Sequence, residues 1–163
     1  MKKGFTMIEL IFVIVILGIL ASVAIPRLAG TREDAEISAA IGNLRTLVSD
    51  ANVYYVTKGS FGTAKWNEFT SVPLDGANSA AVAGATAATA HLKVNGANCI
   101  GFYLKEKAGD TPAHIVFTKE TLTNNTVCTN VQNAPSVKAY FDSTLPGDTA
   151  KGKMPIGSTA KIY

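Results

Sequence analysis

The sequence predicts an α+β fold: a long N-terminal α-helix, its first half membrane-spanning, packed through its second half on a C-terminal antiparallel β-sheet. Three observations predict it. Phe5–Ile25 is a run of 21 positions with one charge, Glu9. Ile37, Ile41, Leu44, Val48, Ala51 and Tyr55 then recur at steps of 4, 3, 4, 3 and 4, which is one face of a helix. Beyond them lie short segments rich in aromatic and β-branched residues between turn signals, the pattern of strands.

The apolar run, as a helix rising 1.5 Å per residue, spans roughly 30 Å, the thickness of a bilayer core. After Pro26 and Gly30 the pattern becomes amphipathic, with Glu36, Asn43, Arg45 and Asp50 off the apolar stripe. One helix from about Thr6 to Tyr55 follows. Pro26 removes a backbone donor and is expected to bend or interrupt it. Thr31…Asp34 has the spacing of a capping box, though with Asp in place of the preferred Glu or Gln. Lys58-Gly59 is a suitable end, with glycine just past the last turn.

Residues 60–96 read as a connecting region anchored by Trp66 and Phe69. Within it Gly76–Ala90 is nearly low complexity and lacks large side chains to bury, so a short helix or loop on the surface is expected. Cys99–Glu106 and Ala113–Lys119 are strand candidates, and Asn124–Cys128 is too short to assign alone. Ser136–Asp142 alternates Val137, Ala139 and Phe141 with Lys138, Tyr140 and Asp142, which reads as a half-buried strand. Gly109-Asp110 and Asn124-Asn125 are turn signals. The tail around Lys151, Lys153 and Lys161 reads as surface strand or coil.

Composition narrows the function. The 163 residues are 47% hydrophobic and carry a net charge of +3, of which Lys2 and Lys3 supply two. A chain starting at Phe5 would carry +1, which argues against a globally basic nucleic-acid binder. A DNA-contacting tail lacks the aromatic interleaving that would support it. No phosphate-binding glycine loop, CxxC pair or supported Ser-His-Asp order is present, so an enzyme is not expected. His91 reads as a loop residue and His114 as a strand residue, neither as a metal ligand.

Three readings fit the N-terminus. One is a secretory signal peptide with a cleavage site at Ser22-Val23-Ala24. Another is a plain transmembrane anchor oriented by its lysines. Neither accounts for Glu9, because a charge in a membrane helix costs about 2.5–3.5 kcal/mol on insertion scales. The third is cleavage between Gly4 and Phe5, which creates an α-amine at the depth of Glu9.

Gly4-Phe5-Thr6-Met7-Ile8-Glu9-Leu10, a basic leader before it and a long apolar run behind it, resembles the class III signal of type IV pilins and type II secretion pseudopilins. Met7 stands where many members have Leu, and Pro26 falls where they have a helix-kinking proline. The resemblance implies cleavage after Gly4 by a prepilin peptidase, N-methylation of Phe5, and Glu9 as the assembly residue. It implies a leader at 1–4, a transmembrane and assembly helix at 5–27 and a pilin-like domain at 28–163, periplasmic or extracellular. Its partners are other copies in a homo-oligomeric filament, further pilins or pseudopilins, the inner membrane and an assembly platform. A secretion pseudopilus is the favoured role. A surface pilus for adhesion, motility or DNA uptake, and a monomeric membrane-anchored periplasmic domain, are the alternatives.

Export makes a disulfide the default for Cys99 and Cys128, with 28 residues between them. Two buried thiols are the other reading, and a metal site from so distant a pair is disfavoured. No cofactor is expected. The major pseudopilin of type II secretion has a calcium site in its C-terminal loops; Asp142, Ser143 and Asp148 offer oxygens here, without that protein's full acidic loop.

Overall fold

The structure is a computed structural model that describes Gly4, residues 6–81, 88–122 and 125–157. It divides into two units, Met1–Ala35 and Glu36–Tyr163. In the first, helix α1 (Met7–Lys58, continuing into the second unit) starts at Met7. Helical backbone runs through Pro26, so the expected interruption does not occur. Thr31 is also mid-helix. Its hydroxyl donates to the Leu28 carbonyl at 2.9 Å, so Thr31…Asp34 is no capping box: a helix already running has no free amide there to cap. The side chains of residues 7–25 are all exposed. This is the helix among the described residues that is long and apolar enough to cross a membrane, with mean hydropathy 2.9 over its best 18 residues.

In the second unit, the predicted stripe faces the core. Leu44, Val48 and Ala51 are buried, with Ile37, Ile41 and Tyr55 packed at the margin. Ala40 and Leu47 widen that face. The helix runs on past Tyr55 to Lys58, and Gly59 follows it. There the backbone takes φ +76° and its N–H donates to the Tyr55 carbonyl at 2.7 Å, as a left-handed glycine after a helix does. Trp66 is fully buried in a short 3-10 turn, Trp66–Glu68. Its indole N–H donates to Thr89 Oγ1 at 2.9 Å, and Phe69 and Phe102 pack on its ring at 5.5 and 5.4 Å.

Among the described residues the sheet has five antiparallel strands in sequential order: β1 (Leu74–Asp75), β2 (Ala90–Val94), β3 (Ala97–Lys105), β4 (His114–Lys119) and β5 (Lys153–Pro155). β3 and β4 are the two predicted strands, paired with Phe102 opposite Phe117 and Leu104 opposite Ile115. β1 and β2 lie in the stretch read as a connection, and His91 accordingly sits in β2 rather than a loop. The signal for β2 is Asn95-Gly96, whose φ values of +50° and +75° make the two-residue hairpin turn into β3. At the ends of the Ala-rich segment, Ala81 and Ala90 are fully buried. The surface helix or loop was expected over Gly76–Ala90; residues 82–87 of that stretch lie outside the described residues, and of the rest Ala90 is the buried first residue of β2.

Among the described residues two helices separate β4 from β5: α2 (Thr126–Asn133) and α3 (Pro135–Asp142). The expected strand over Ser136–Asp142 is therefore a helix. Val137 and Phe141, the buried pair, are four apart, a spacing that satisfies both a strand's period of 2 and a helix turn. Pro135 at the first helical position, with φ preset for a helix, tips the choice. Of Asn124–Cys128, Asn124 lies outside the described residues and residues 126–128 belong to α2 rather than a strand. The Asn125 side chain caps α2 by accepting from the Cys128 amide at 2.9 Å, which satisfies an otherwise unpaired donor.

Candidate functional site

Glu9 lies in the first turn of α1, and its carboxylate closes on Thr6. Glu9 Oε2 accepts from the Thr6 amide at 2.9 Å and from the Thr6 hydroxyl at 2.7 Å. In return Thr6 Oγ1 accepts from the Glu9 amide at 3.4 Å. This is a capping box, with Thr6 as N-cap and Glu9 three residues on. The spacing Thr-x-x-Glu at 6–9 was the available signal; sequence reasoning placed a box at Thr31 instead. A carboxylate has two oxygens and about four acceptor sites, so the contacts with Thr6 leave it chemically able to meet a cation as well. Gly4 is exposed. Phe5, the expected site of cleavage and methylation, lies outside the described residues. Thus the structure brings Glu9 together with Thr6, and Pro26 lies farther along the same helix.

The cysteines form a disulfide, Cys99–Cys128, with Cα atoms 5.6 Å apart. It joins β3 to α2, and both residues are buried. Gln132, one turn beyond Cys128, donates through Nε2 to the carbonyls of Cys99 at 2.8 Å and Glu120 at 3.0 Å. So α2 is fastened to the sheet covalently and by hydrogen bonds. Glu106 has a similar role at the other end of β3. Its Oε1 accepts from the amides of Phe61 and Gly62, at 2.6 and 2.9 Å, and from the Ser60 hydroxyl at 3.0 Å. Neither Gln132 nor Glu106 was singled out from the sequence, and no local pattern marks a contact across 45 residues.

The histidines stand apart. His91 Nε2 lies 3.4 Å from Glu120 Oε1. His114 is buried in β4, with Nδ1 donating to the Pro112 carbonyl at 2.9 Å. Burial, followed by the Lys153 and Lys105 charges, holds its pKa below the ordinary 6.5, against the opposing pull of Pro112 and Asp148.

The loop after α3 carries the oxygens considered for calcium. Lys151 Nζ is 3.1 Å from Asp142 Oδ1, and Lys153 Nζ donates to Asp148 Oδ2. Asp148 Oδ1 accepts from the Ala150 amide at 2.8 Å, and the Ser143 hydroxyl donates to the Tyr140 carbonyl at 2.6 Å. Both carboxyl groups are held below the usual range, chiefly by these lysines. Calcium needs six to eight oxygens. Among the described residues no three His, Cys, Asp or Glu side chains converge on a common point. The donor set does not fit the ion.

Comparison with known proteins finds similarity over part of the chain. The family described as the prokaryotic N-terminal methylation motif matches residues 1–25. Type II secretion system core protein G of Dickeya chrysanthemi is 36% identical over 64 residues, 39% of this chain and 42% of that protein. The protein of the same name from Pectobacterium carotovorum is 42% identical over 53 residues, 32% and 34% of the two chains. That from Escherichia coli is 34% identical over 62 residues, 38% and 43%. The chain spans less than half the length of these curated relatives. No solved structure matches it. The chain thus joins a long N-terminal helix and an antiparallel sheet to the prokaryotic N-terminal methylation motif, and over part of its length it is similar to the core protein G of type II secretion systems.

Proposed function

We propose that this protein is a structural filament subunit, a pseudopilin of a type II secretion system. The observation that carries the reading is the methylation motif over residues 1–25, which takes in the start of a helix long and apolar enough to cross a membrane. In this reading residues 1–4 are a leader, removed between Gly4 and Phe5 by a prepilin peptidase that then methylates the Phe5 amine. Residues 5–27 hold the subunit in the inner membrane and later form the filament core, with Pro26 bending the helix. Residues 28–163 form a domain on the periplasmic side. The exposed side chains of residues 7–25 make so large an apolar surface that lipid or neighbouring copies must cover it. Glu9 would meet the α-amine of an adjacent subunit, because a carboxylate left alone in hydrocarbon is costly.

Intact-mass measurement of the membrane-extracted chain tests the processing. Loss of Met1–Gly4 with one added methyl group is expected; loss through Ala24 would make the segment an ordinary signal peptide. Deleting the gene tests the role. Secreted enzymes should accumulate in the periplasm. Normal secretion together with loss of surface filaments would assign the chain to a pilus instead.

A further inference from the structure

We propose that the loop between α3 and β5, residues 143–152, is closed by two of the chain's own ammonium groups, Lys151 on Asp142 and Lys153 on Asp148, so that the domain needs no divalent cation there. The inference rests on this loop and not on the filament reading.

The two pairs bracket the loop. Asp142 ends α3 and Lys151 comes back beside it, nine residues later. Asp148, at the loop's far turn, reaches Lys153 at the start of β5. Between them the backbone closes on itself. The Asp148 amide donates to the Leu145 carbonyl at 3.0 Å and the Lys153 amide to the Ser143 carbonyl at 3.1 Å. Leu145 is buried at 3% exposure and anchors the crossing. At the β4 edge the Phe117 amide donates to the Gly152 carbonyl at 2.8 Å. A calcium ion in such a loop would neutralise gathered carboxylates and fix their geometry. Here the positive charge is covalently part of the chain. Each lysine arrives within the loop's own closing segment, so its charge is delivered by folding and is independent of ion concentration. The Lys153–Asp148 pair, at 27% and 34% side-chain exposure, is the better shielded. Lys151 and Asp142, at 70% and 46%, are open to solvent and to screening by salt.

The test uses the full chain in detergent. Its thermal unfolding midpoint is measured in excess EGTA and again in millimolar calcium chloride, and loop amide hydrogen exchange is followed in EGTA. The midpoint should be the same in both, and Lys153→Met should speed exchange at the Asp148 and Ala150 amides about two- to fivefold, the range for a partly exposed ion pair. Lys153→Arg should restore protection. Exchange at Phe102 and Leu104 in β3 should not change, which separates loop opening from general destabilisation. A midpoint raised by calcium in the unmodified chain would overturn the proposal. So would unchanged loop exchange in Lys153→Met, because the ammonium would then hold nothing.

Discussion

Opening the Cys99–Cys128 bond should remove a large part of the domain's stability. A cross-link limits the unfolded chain by the loop it closes, and 28 residues lie between these cysteines. The chain-entropy relation for a loop of about 30 residues gives about 3.5 kcal/mol at 25 °C. Reduction leaves side-chain volumes nearly unchanged, so this term is isolated. Replacing both cysteines by alanine also empties space around two buried sulfurs, and should cost about 1–2 kcal/mol more by the cavity relation. The helix should not detach at once, because Val127 and Val131 remain buried and Gln132 still reaches the Cys99 and Glu120 carbonyls. The assay is urea unfolding of the oxidised and reduced full chain, followed by fluorescence. Trp66 is the one tryptophan, fully buried against Phe69 and Phe102, so its emission reports the domain alone. A loss below about 1 kcal/mol on reduction would refute the reasoning, because the denatured chain would then be held compact by something other than the bond.

Three further predictions come from local geometry. His114 is buried with its pKa held below the ordinary 6.5, so the unfolded chain binds the proton first. Its contribution is complete above pH 6.5 and is lost as pH falls from there through the lower folded value. Urea midpoints should therefore drop on that limb, and His114→Gln should flatten it. Gly152→Ala should destabilise by more than the roughly 1–2 kcal/mol of a left-handed backbone, since φ is +78° and the added carbon would sit 2.7 Å from the Phe117 carbonyl. Gly147→Ala, with the same φ and open space around it, should show the backbone part alone when the two urea midpoints are compared. Thr6→Ala should fray the first turn of α1. Loss of an N-cap of about 1 kcal/mol should accelerate amide exchange there about fivefold, and Thr6→Ser should retain protection.

What the sequence made legible was what repeats locally. The stripe from Ile37 to Tyr55 could be read because each member sees the same face of one helix, and β3 and β4 because runs such as "FYL" and "HIVF" suit a buried strand. Over Ser136–Asp142 two periods coincide, since buried residues at 137 and 141 belong to either a strand or a helix. Pro135 was the discriminating residue, and its weight lies in backbone geometry rather than in hydrophobicity. β2 was hidden by alanines, which bury fully at Ala90 without advertising themselves by size, although Asn95-Gly96 marked its turn. At the candidate site, the charge at Glu9 and the cysteine pair were legible. The reach of Glu106 to Phe61 and of Lys153 to Asp148 was not, because such contacts exist only after the sheet has brought their strands together.

The capping box at Thr6 sharpens what can be asked of Glu9. In the structure its carboxylate does two things at once: it satisfies the amide of Thr6 and it places a negative charge near the head of an apolar helix. Only the second would matter to a cation on another subunit. Glutamine at the third helical position also completes a capping box, so Glu9→Gln keeps the first role and discards the charge, whereas Glu9→Ala discards both. Each variant's filament yield is to be compared at equal amounts of cleaved subunit. If charge pairing drives assembly, Glu9→Gln should fail as fully as Glu9→Ala, because a neutral amide leaves the neighbouring amine without a counter-charge in a medium that penalises it. Recovery of wild-type yield in Glu9→Gln would instead make the ordered first turn the requirement. Wild-type yield in both would remove Glu9 from assembly altogether.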